Sequence, residues 1–387
     1  MKTETWAVFG LVGLMLIANG LLGTALPLHM SSLGIPPAYV AALGAFAYGG
    51  GLVGAPLSTL AIGRLGNRGA FILFAALFAL FVLALLTTSQ ALALQLLRMG
   101  AGVCFSALTV VVDTRINTLA PGDRRSRVLA LYMITFYAAQ ATGASLTGLD
   151  RHDGNAALVA SALVLLVAVV ASLAIKAPGG RSENRSVLPR ARHLLMAPGG
   201  YLVGLMTGAM VGCFYGFGPV FALGRLANPS LVGTFMAAAM MGAVAGLMLS
   251  GRLADRFGLR SVSMPWAILL AVTAVVLTIR PPTSDPGLIG IAAVLGAFLL
   301  SFYPIGSAMV NARASVADRV PANALYVVCI GLGGMIGPLV GVLLTPVAGT
   351  SAGFAVIAVC SATIVIAAAV WGWSFSTGLT PAKSVDL

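Results

Sequence analysis

The chain repeats itself once, at an offset of about 192 residues, and this repeat constrains the fold more than any other feature. The run Leu-Val-Gly-Leu-Met occurs at 11–15 and again at 202–206. Apolar composition alone would produce chance matches of Leu and Gly, but it would not pair Arg-x-Gly-x-Arg and Pro positions at one offset. The pairs are Pro27 and Pro219, Pro37 and Pro229, Gly54 and Gly246, Leu57 and Leu249, Ser58 and Ser250, Arg64 and Arg256, Gly66 and Gly258, Arg68 and Arg260. Two similar halves are typical of membrane carriers whose halves move about a central site.

The composition predicts a membrane protein. Mean hydropathy is +1.02 and 8% of the residues are charged, where a soluble domain carries roughly 25%. A helix needs roughly 20 apolar residues to cross the bilayer, and a chain in lipid must satisfy its own backbone hydrogen bonds. We predict twelve helical spans, at 6–28, 38–60, 69–88, 91–113, 128–149, 155–176, 199–223, 230–250, 261–280, 287–310, 322–345 and 351–373.

The spans group into two halves, so the predicted fold is all-α, with twelve transmembrane helices in two pseudo-symmetric six-helix bundles. The first bundle covers 1–176 and the second covers 199–373. A polar, basic linker at 177–198 joins them, and a tail at 374–387 follows.

The distribution of Lys and Arg predicts the orientation. If the N-terminus is cytoplasmic, 18 of the 22 basic residues lie on the cytoplasmic side and three on the other. The positive-inside rule then predicts an inner-membrane protein with both termini in the cytoplasm. Basic loops beside an anionic leaflet also explain the net charge of +12, so no nucleic-acid partner is expected.

Several function classes lack their sequence motifs. No phosphate-binding loop, dinucleotide fingerprint or catalytic triad pattern occurs, so we expect neither an enzyme nor a cofactor, and transport driven by gradients rather than by nucleotide hydrolysis. The four cysteines fall within spans without metal-ligand spacing, as small apolar packing residues do.

The loop after the eighth span carries a family resemblance. It reads Gly-Arg-Leu-Ala-Asp-Arg-Phe-Gly-Leu-Arg at 251–260, and a degenerate copy lies at 63–68, with Gly63 where the acid is expected. Arg98 and Gly102 lie one helical turn apart within span 4. These patterns resemble the signature loop and the span-4 motif of the Major Facilitator Superfamily, and the resemblance covers essentially the whole chain. It implies alternating access around a site between two bundles.

Further stretches are similar to the YcaD-like branch of that superfamily. They are the run 127–133 that opens span 5, the pair Tyr303-Pro304 followed by Asn311, and Asp113 near the end of span 4. The branch's usual His-Ala-Asn-Asp is Met-Val-Asn-Ala at 309–312, so two polar groups are missing here.

Arg98 and Asp113 are the charged residues within or at the edge of a span, where charge is costly and usually functional. Fifteen residues of one helix separate them by about 22 Å, so they cannot pair. Arg98 is predicted to bind an anionic or carbonyl-bearing substrate with its planar donor fork. The alternative is a structural arginine bonded to backbone carbonyls or to Gln140, Asn19 or Tyr137.

Asp113 is interpreted through the resemblance, which implies that it pairs with Arg64 and closes the cytoplasmic gate. A proton-carrying carboxylate and a plain surface ion pair are the alternatives. Asp255 is expected near Arg127 at the start of span 5, where a helix dipole favours an anion. The remaining gate candidates come from the second signature loop and are Arg256 and Arg260.

Other cavity candidates come from the spans that line the cavity in the superfamily, and each could instead be a packing residue. They are Asn19, Tyr48, Tyr137, Gln140, Tyr215, Tyr303, Asn323 and Tyr326.

The sequence therefore predicts a monomeric carrier of a small solute, with the bilayer and the solute as its partners and an organic anion favoured by Arg98. Multidrug efflux is the alternative within transport, favoured by aromatic and Met-rich candidates. A non-transporting membrane receptor or scaffold is the alternative from another class.

Overall fold

The computed structural model describes residues 3–119, 125–150, 154–174, 191–315 and 318–370, and these residues form helices joined by short turns. The first half contains α1 (Thr3–Ser32), α2 (Pro37–Ala41), α3 (Leu43–Ala84), α4 (Ala91–Leu119), α5 (Arg125–Leu146) and α6 (Asn155–Ala174). A short helix, α7 (Ala191–Met196), lies where the linker was predicted, and the rest of the linker and the tail from 371 lie outside the described residues.

The second half contains α8 (Pro198–Leu223), α9 (Leu231–Phe257), α10 (Leu259–Ile279), α11 (Asp285–Leu299), α12 (Phe302–Arg313), α13 (Arg319–Ala348) and α14 (Ala352–Val370). Within the described ranges, nine helical stretches are long and apolar enough to cross a membrane. Two of them, Pro37–Thr87 and Pro321–Val370, hold 51 and 50 residues, more than twice what one crossing needs.

The contacts among helices reproduce the repeat seen in the sequence. In the first half α1 packs on α5 and α6, while α3 packs on α4 and α6. In the second half α8 packs on α13 and α14, α9 on α11, and α10 on α14. The two halves meet where α3 contacts α13 and where α5 contacts α9. A chain that repeats its sequence thus also repeats its packing.

Two repeated glycines mark equivalent turns. Gly66 has φ 70° and ψ 172°, and Gly258 has φ 84° and ψ 154°. A side chain strongly disfavours this backbone conformation, so each turn requires glycine. Gly66 turns the chain within the long helix α3, and Gly258 separates α9 from α10. We call this side of the molecule the Gly66 end, and the opposite side, which carries Gly34, the Gly34 end.

The tenth predicted span is not one continuous helix. Helix α11 ends at Leu299 and α12 begins at Phe302, so Leu300 and Ser301 form a turn between them. Pro304 has no backbone N–H, so the carbonyl of Leu300 receives no helical hydrogen bond from it. The Ser301 hydroxyl instead donates to the Ala297 carbonyl at 2.6 Å. The helix predicted as one span is therefore broken just before this proline.

Candidate functional site

At the Gly34 end the two halves pack tightly through glycines. A Cβ on Gly44 of α3 would lie 2.6 Å from the Gly212 carbonyl oxygen of α8. A Cβ on Gly216 would likewise overlap the Ala41 carbonyl oxygen. Real Cβ atoms do not approach a carbonyl oxygen so closely. The backbones can touch here only because Gly44 and Gly216 have no side chain. This end of the interface is closed.

The second interface, between α5 and α9, is also tight at the Gly34 end. A Cβ on Gly233 would overlap the Ala144 carbonyl oxygen, and one on Gly148 would lie 2.7 Å from the Ser230 carbonyl oxygen. A Cβ on Gly44 would also lie 3.1 Å from the Pro338 ring of α13, so both repeat-related pairs, α3 with α13 and α5 with α9, approach closely at this end.

At the Gly66 end the same interfaces separate. A cavity of about 280 Å³ lies between the first turns of α5, the last turns of α9 and the start of α12. Along α13, Pro338, Gly334 and Gly331 contact α3, whereas Val327, one turn beyond Gly331 on the same face, is 45% exposed. The space between the halves therefore opens toward the Gly66 end.

Arg98 lies on α4 near the interface of α3 with α13, where Tyr48 packs against Gly334, and it is not among the residues that line the 280 Å³ cavity. Its Nη1 is buried and has no hydrogen-bond partner, and Tyr48 of α3 is its electrostatic neighbour. The amides of Asn19 and Gln140, considered above as structural partners for Arg98, bond to each other instead, Asn19 Nδ2 donating to Gln140 Oε1 at 3.1 Å. A buried guanidinium nitrogen without a partner can accept an oxygen from a ligand.

Four of the predicted tyrosines surround one region, and we call them the tyrosine set: Tyr48, Tyr137, Tyr215 and Tyr303. Tyr137 has the other three as its electrostatic neighbours, and Tyr48 also has Tyr215. They come from α3, α5, α8 and α12, so both halves of the chain contribute. Because Arg98 neighbours Tyr48, the arginine belongs to the same region.

Asp113 lies farther along α4 and accepts a hydrogen bond from the Tyr132 hydroxyl of α5. Tyr303 is also its electrostatic neighbour. The sequence analysis did not single out Tyr132. The spacing of Tyr132, Phe136 and Tyr137 could have indicated it, because residues four and one apart on a helix lie near each other. In the structure their rings make edge-to-face contacts in sequence along α5.

Asn323 and Tyr326 lie in the wall rather than at a free surface. Asn323 and Asn311 exchange amide hydrogen bonds of 2.8 and 3.3 Å, and Ser307 donates to Asn323 at 3.1 Å. Tyr326 is 1% exposed, and its hydroxyl donates to the Tyr303 carbonyl at 2.8 Å. In this conformation both side chains tie α12 to α13 and are not free to bind a solute.

The gate candidates are not brought together. Arg64 is exposed and has no hydrogen bond or ion pair with a described residue, so the Arg64–Asp113 pair is not formed. Asp255 and Arg256 are also exposed, and the guanidinium of Arg256 lies 5.2 Å from the ring of Phe257. The side chains of Arg127 and Arg260 lie outside the described residues.

The methionines of the second half, on which the drug-efflux alternative drew, mostly pack in the core. Met210, Met236 and Met240 are at most 2% exposed and belong to the core of the second half. Met241 is 50% exposed. The methionines that do line the open space are Met133 and Met248, at the cavity near the Gly66 end.

Comparison with known proteins identifies the family. The model described as Major Facilitator Superfamily matches residues 8–226 and 200–383, so each match covers one copy of the repeat and its flanks. The chain belongs to the Major Facilitator Superfamily. The resemblance carried by the signature loops is thereby confirmed.

Curated relatives support the branch. The uncharacterized MFS-type transporter YcaD of Escherichia fergusonii is 24% identical over 330 residues, covering 84% of this chain and 84% of that protein. An uncharacterized MFS-type transporter of Yersinia pestis is 24% identical over 341 residues, covering 86% of this chain and 87% of that one. The chain is therefore a membrane transporter of this superfamily that is similar to YcaD-type relatives over most of its length.

Solved structures share the fold. The nucleoside transporter NupG has a TM-score of 0.79 at 13% identity, over 96% of this chain and 98% of that one. A D-xylose–proton symporter has a TM-score of 0.73 at 15% identity, over 97% and 98% of the two chains. These likenesses concern the fold alone.

Proposed function

We propose that this protein carries a small organic anion across the inner membrane by alternating access, with Arg98 as the central substrate contact. The observation that carries the anion proposal is the buried Nη1 of Arg98, which has no partner and lies beside Tyr48. A carboxylate or similar oxygen in this position would satisfy the nitrogen and offset the cost of holding it out of water.

The membrane arrangement in this proposal has twelve spans in two six-helix bundles. Each of the two stretches of about 50 residues counts as two spans, and α5 adds one to the remaining candidates. The bundles comprise 1–176 and 199–373, linked by 177–198. Both termini and the Gly66 end are cytoplasmic in this arrangement, because basic residues concentrate there.

Alternating access is supported by the asymmetry of the interface. Contacts between the halves are tight at the Gly34 end, whereas the described residues of α5, α9 and α12 leave a cavity between them at the Gly66 end. This is the shape of a carrier open to the cytoplasm. In the opposite state we propose that the Gly66 end closes and that Arg64 reaches Asp113, with Asp255, Arg256 and Arg260 forming the equivalent latch of the second half.

Cysteine labelling tests the mechanism. In a background with the four native cysteines replaced by alanine, Val327→Cys lies on the face of α13 that opens at the Gly66 end. A membrane-impermeant maleimide applied from the cytoplasm should label it. Ala45→Cys, whose native side chain is 2% exposed, is the matched control and should stay unlabelled.

Asp113→Asn removes one partner of the latch, so it should raise the labelling rate of Val327→Cys by favouring the open state. If the rate does not rise above that of the parent variant, the latch proposal is wrong. Labelling of Val327→Cys only from the outside would contradict the proposed orientation.

Efflux of lipophilic drugs is the second candidate, and one observation favours it. The cavity at the Gly66 end is lined by Met133, Ile134, Leu247 and Met248, and methionine-rich surfaces adapt to varied apolar ligands. Lipophilic cations that stabilise the wild type and Arg98→Gln equally would favour this candidate over the organic anion.

A further inference from the structure

The charges around the tyrosine set limit the charge of a ligand. Among the described residues, the charged electrostatic neighbours of these four tyrosines are one cation, Arg98, and one acid, Asp113. The acid lies about 22 Å from Arg98 along α4, beyond the length of a small solute. A single guanidinium can neutralise one carboxylate, and a second negative charge would find no other cation among the described neighbours of these tyrosines.

The side-chain amides nearby are largely engaged with each other, and Asn19 Oδ1 is the oxygen among them that is buried without a partner. Asn19 and Gln140 bond to each other, as do Asn311 and Asn323. A solute rich in hydroxyl groups needs many free donors and acceptors, because unpaired polar groups in a buried site are costly. The four phenols are the other uncharged polar groups that this region offers to a solute.

The phenol rings are held in place by other rings. Tyr137 lies edge-on to Phe136 at 5.3 Å and 74°, and Tyr215 lies edge-on to Phe214 at 5.5 Å and 67°. Tyr48 packs against the backbone of α13, since a Cβ on Gly334 would lie 2.9 Å from its Cδ2. Rings fixed in this way lose little entropy on binding and offer faces and edges to another ring.

The geometry points to a monoanion bearing an aromatic ring as the cargo, with its carboxylate at Arg98 Nη1 and its ring among the tyrosine set. This assignment rests on the proposed function and narrows it. The carboxylate satisfies the unpaired Nη1 of Arg98, and the ring lies among phenols that come from both halves. Binding between the halves also couples the cargo to their relative movement.

The test uses four carboxylates as probes on the purified full-length protein in detergent, at equal ionic strength. Benzoate has an aromatic ring and one negative charge. Cyclohexanecarboxylate has a saturated ring and the same charge, acetate has the charge without a ring, and phthalate has an aromatic ring with two negative charges. The shift in melting temperature with concentration gives each dissociation constant. We expect benzoate to bind about two- to tenfold more tightly than cyclohexanecarboxylate, from aromatic pairing worth about 0.5–1.5 kcal/mol, and acetate and phthalate more weakly still.

Two pairs of variants locate the effect. Arg98→Gln should weaken benzoate binding roughly tenfold or more, because it removes a charged hydrogen bond. Arg225→Gln is its control, since Arg225 bonds Ser351 and lies over Phe221, outside the tyrosine set. Tyr215→Leu should reduce benzoate to the affinity of cyclohexanecarboxylate, while Tyr215→Phe, which keeps the ring, should bind benzoate nearly as well as the wild type.

The outcomes separate this inference from the proposed function. If acetate binds as tightly as benzoate and Arg98→Gln loses both, the organic-anion carrier stands and the aromatic cargo is wrong. If phthalate binds more tightly than benzoate, the inference that the cargo carries a single negative charge is wrong. If no carboxylate shifts the melting temperature while a lipophilic cation does, both the inference and the anion proposal fail.

Discussion

Gly246 lies where α9 packs closely against α11, and adding one methyl group there should destabilise the protein. A Cβ on Gly246 would lie 2.6 Å from the carbonyl carbon of Ala297 and 2.7 Å from its Cα. Ordinary carbon–carbon contacts are about 3.5–4.0 Å, so the helices must separate by about 1 Å in Gly246→Ala. Overpacking of this kind costs about 1–3 kcal/mol.

Gly251 provides a control on the same helix. A Cβ on Gly251 meets nothing within 4 Å, so Gly251→Ala keeps only the favourable effect of replacing glycine in a helix, about 0.4–1 kcal/mol. The two variants should differ by about 2 kcal/mol, or about 4 °C in melting temperature at ~2 °C per kcal/mol. The assay is thermal unfolding in detergent, followed by size-exclusion fluorescence.

The repeat extends this prediction to the first half. Gly54, 192 residues earlier, would place a Cβ 2.9 Å from the carbonyl carbon of Val103, so Gly54→Ala should also destabilise. The two effects should add, because the sites are far apart and share no partner. If Gly246→Ala melts at or above Gly251→Ala, the argument from close helix packing is refuted.

Other predictions concern single hydrogen bonds and one turn. Gly258→Ala should cost about 1–3 kcal/mol because of its positive φ, measured by the same thermal assay. Asn311→Ala should cost about 1–3 kcal/mol, since it leaves the amide of Asn323 without its partner; the double alanine variant should lose less than the sum of the single variants. Tyr326→Phe should cost about 1 kcal/mol through its lost bond to a carbonyl of α12; no change in melting temperature would contradict that bond.

The repeat and the helical fold could be predicted because the sequence carries recurring patterns for both: matching residues 192 positions apart, and apolar stretches long enough to span a bilayer. The paired glycines Gly66 and Gly258 could be located from the offset alone, and the structure supplies the reason in their positive φ. The break at Leu300 and Ser301 could not be placed to the residue, because a proline within a membrane helix is compatible with a kink, a bulge or a full break.

The sequence could suggest the residue types of the candidate site but not which of those side chains contact each other. The sequence proposed polar residues of several spans as one group, and two of them, Arg98 and Tyr48, lie near each other. Which side chains pair with each other depends on helix rotation, which one sequence does not specify. Tyr326 and Asn323 therefore lie in the wall, although their residue types suited a binding site.

The most direct test of the account is uptake of radiolabelled benzoate into proteoliposomes that contain the purified protein and an internal pool of unlabelled benzoate. Exchange requires only binding and alternating access, so it does not depend on a coupling ion. The account predicts saturable exchange by the wild type and by Arg225→Gln, and exchange reduced at least tenfold in Arg98→Gln. Equal exchange by Arg98→Gln and the wild type would contradict it.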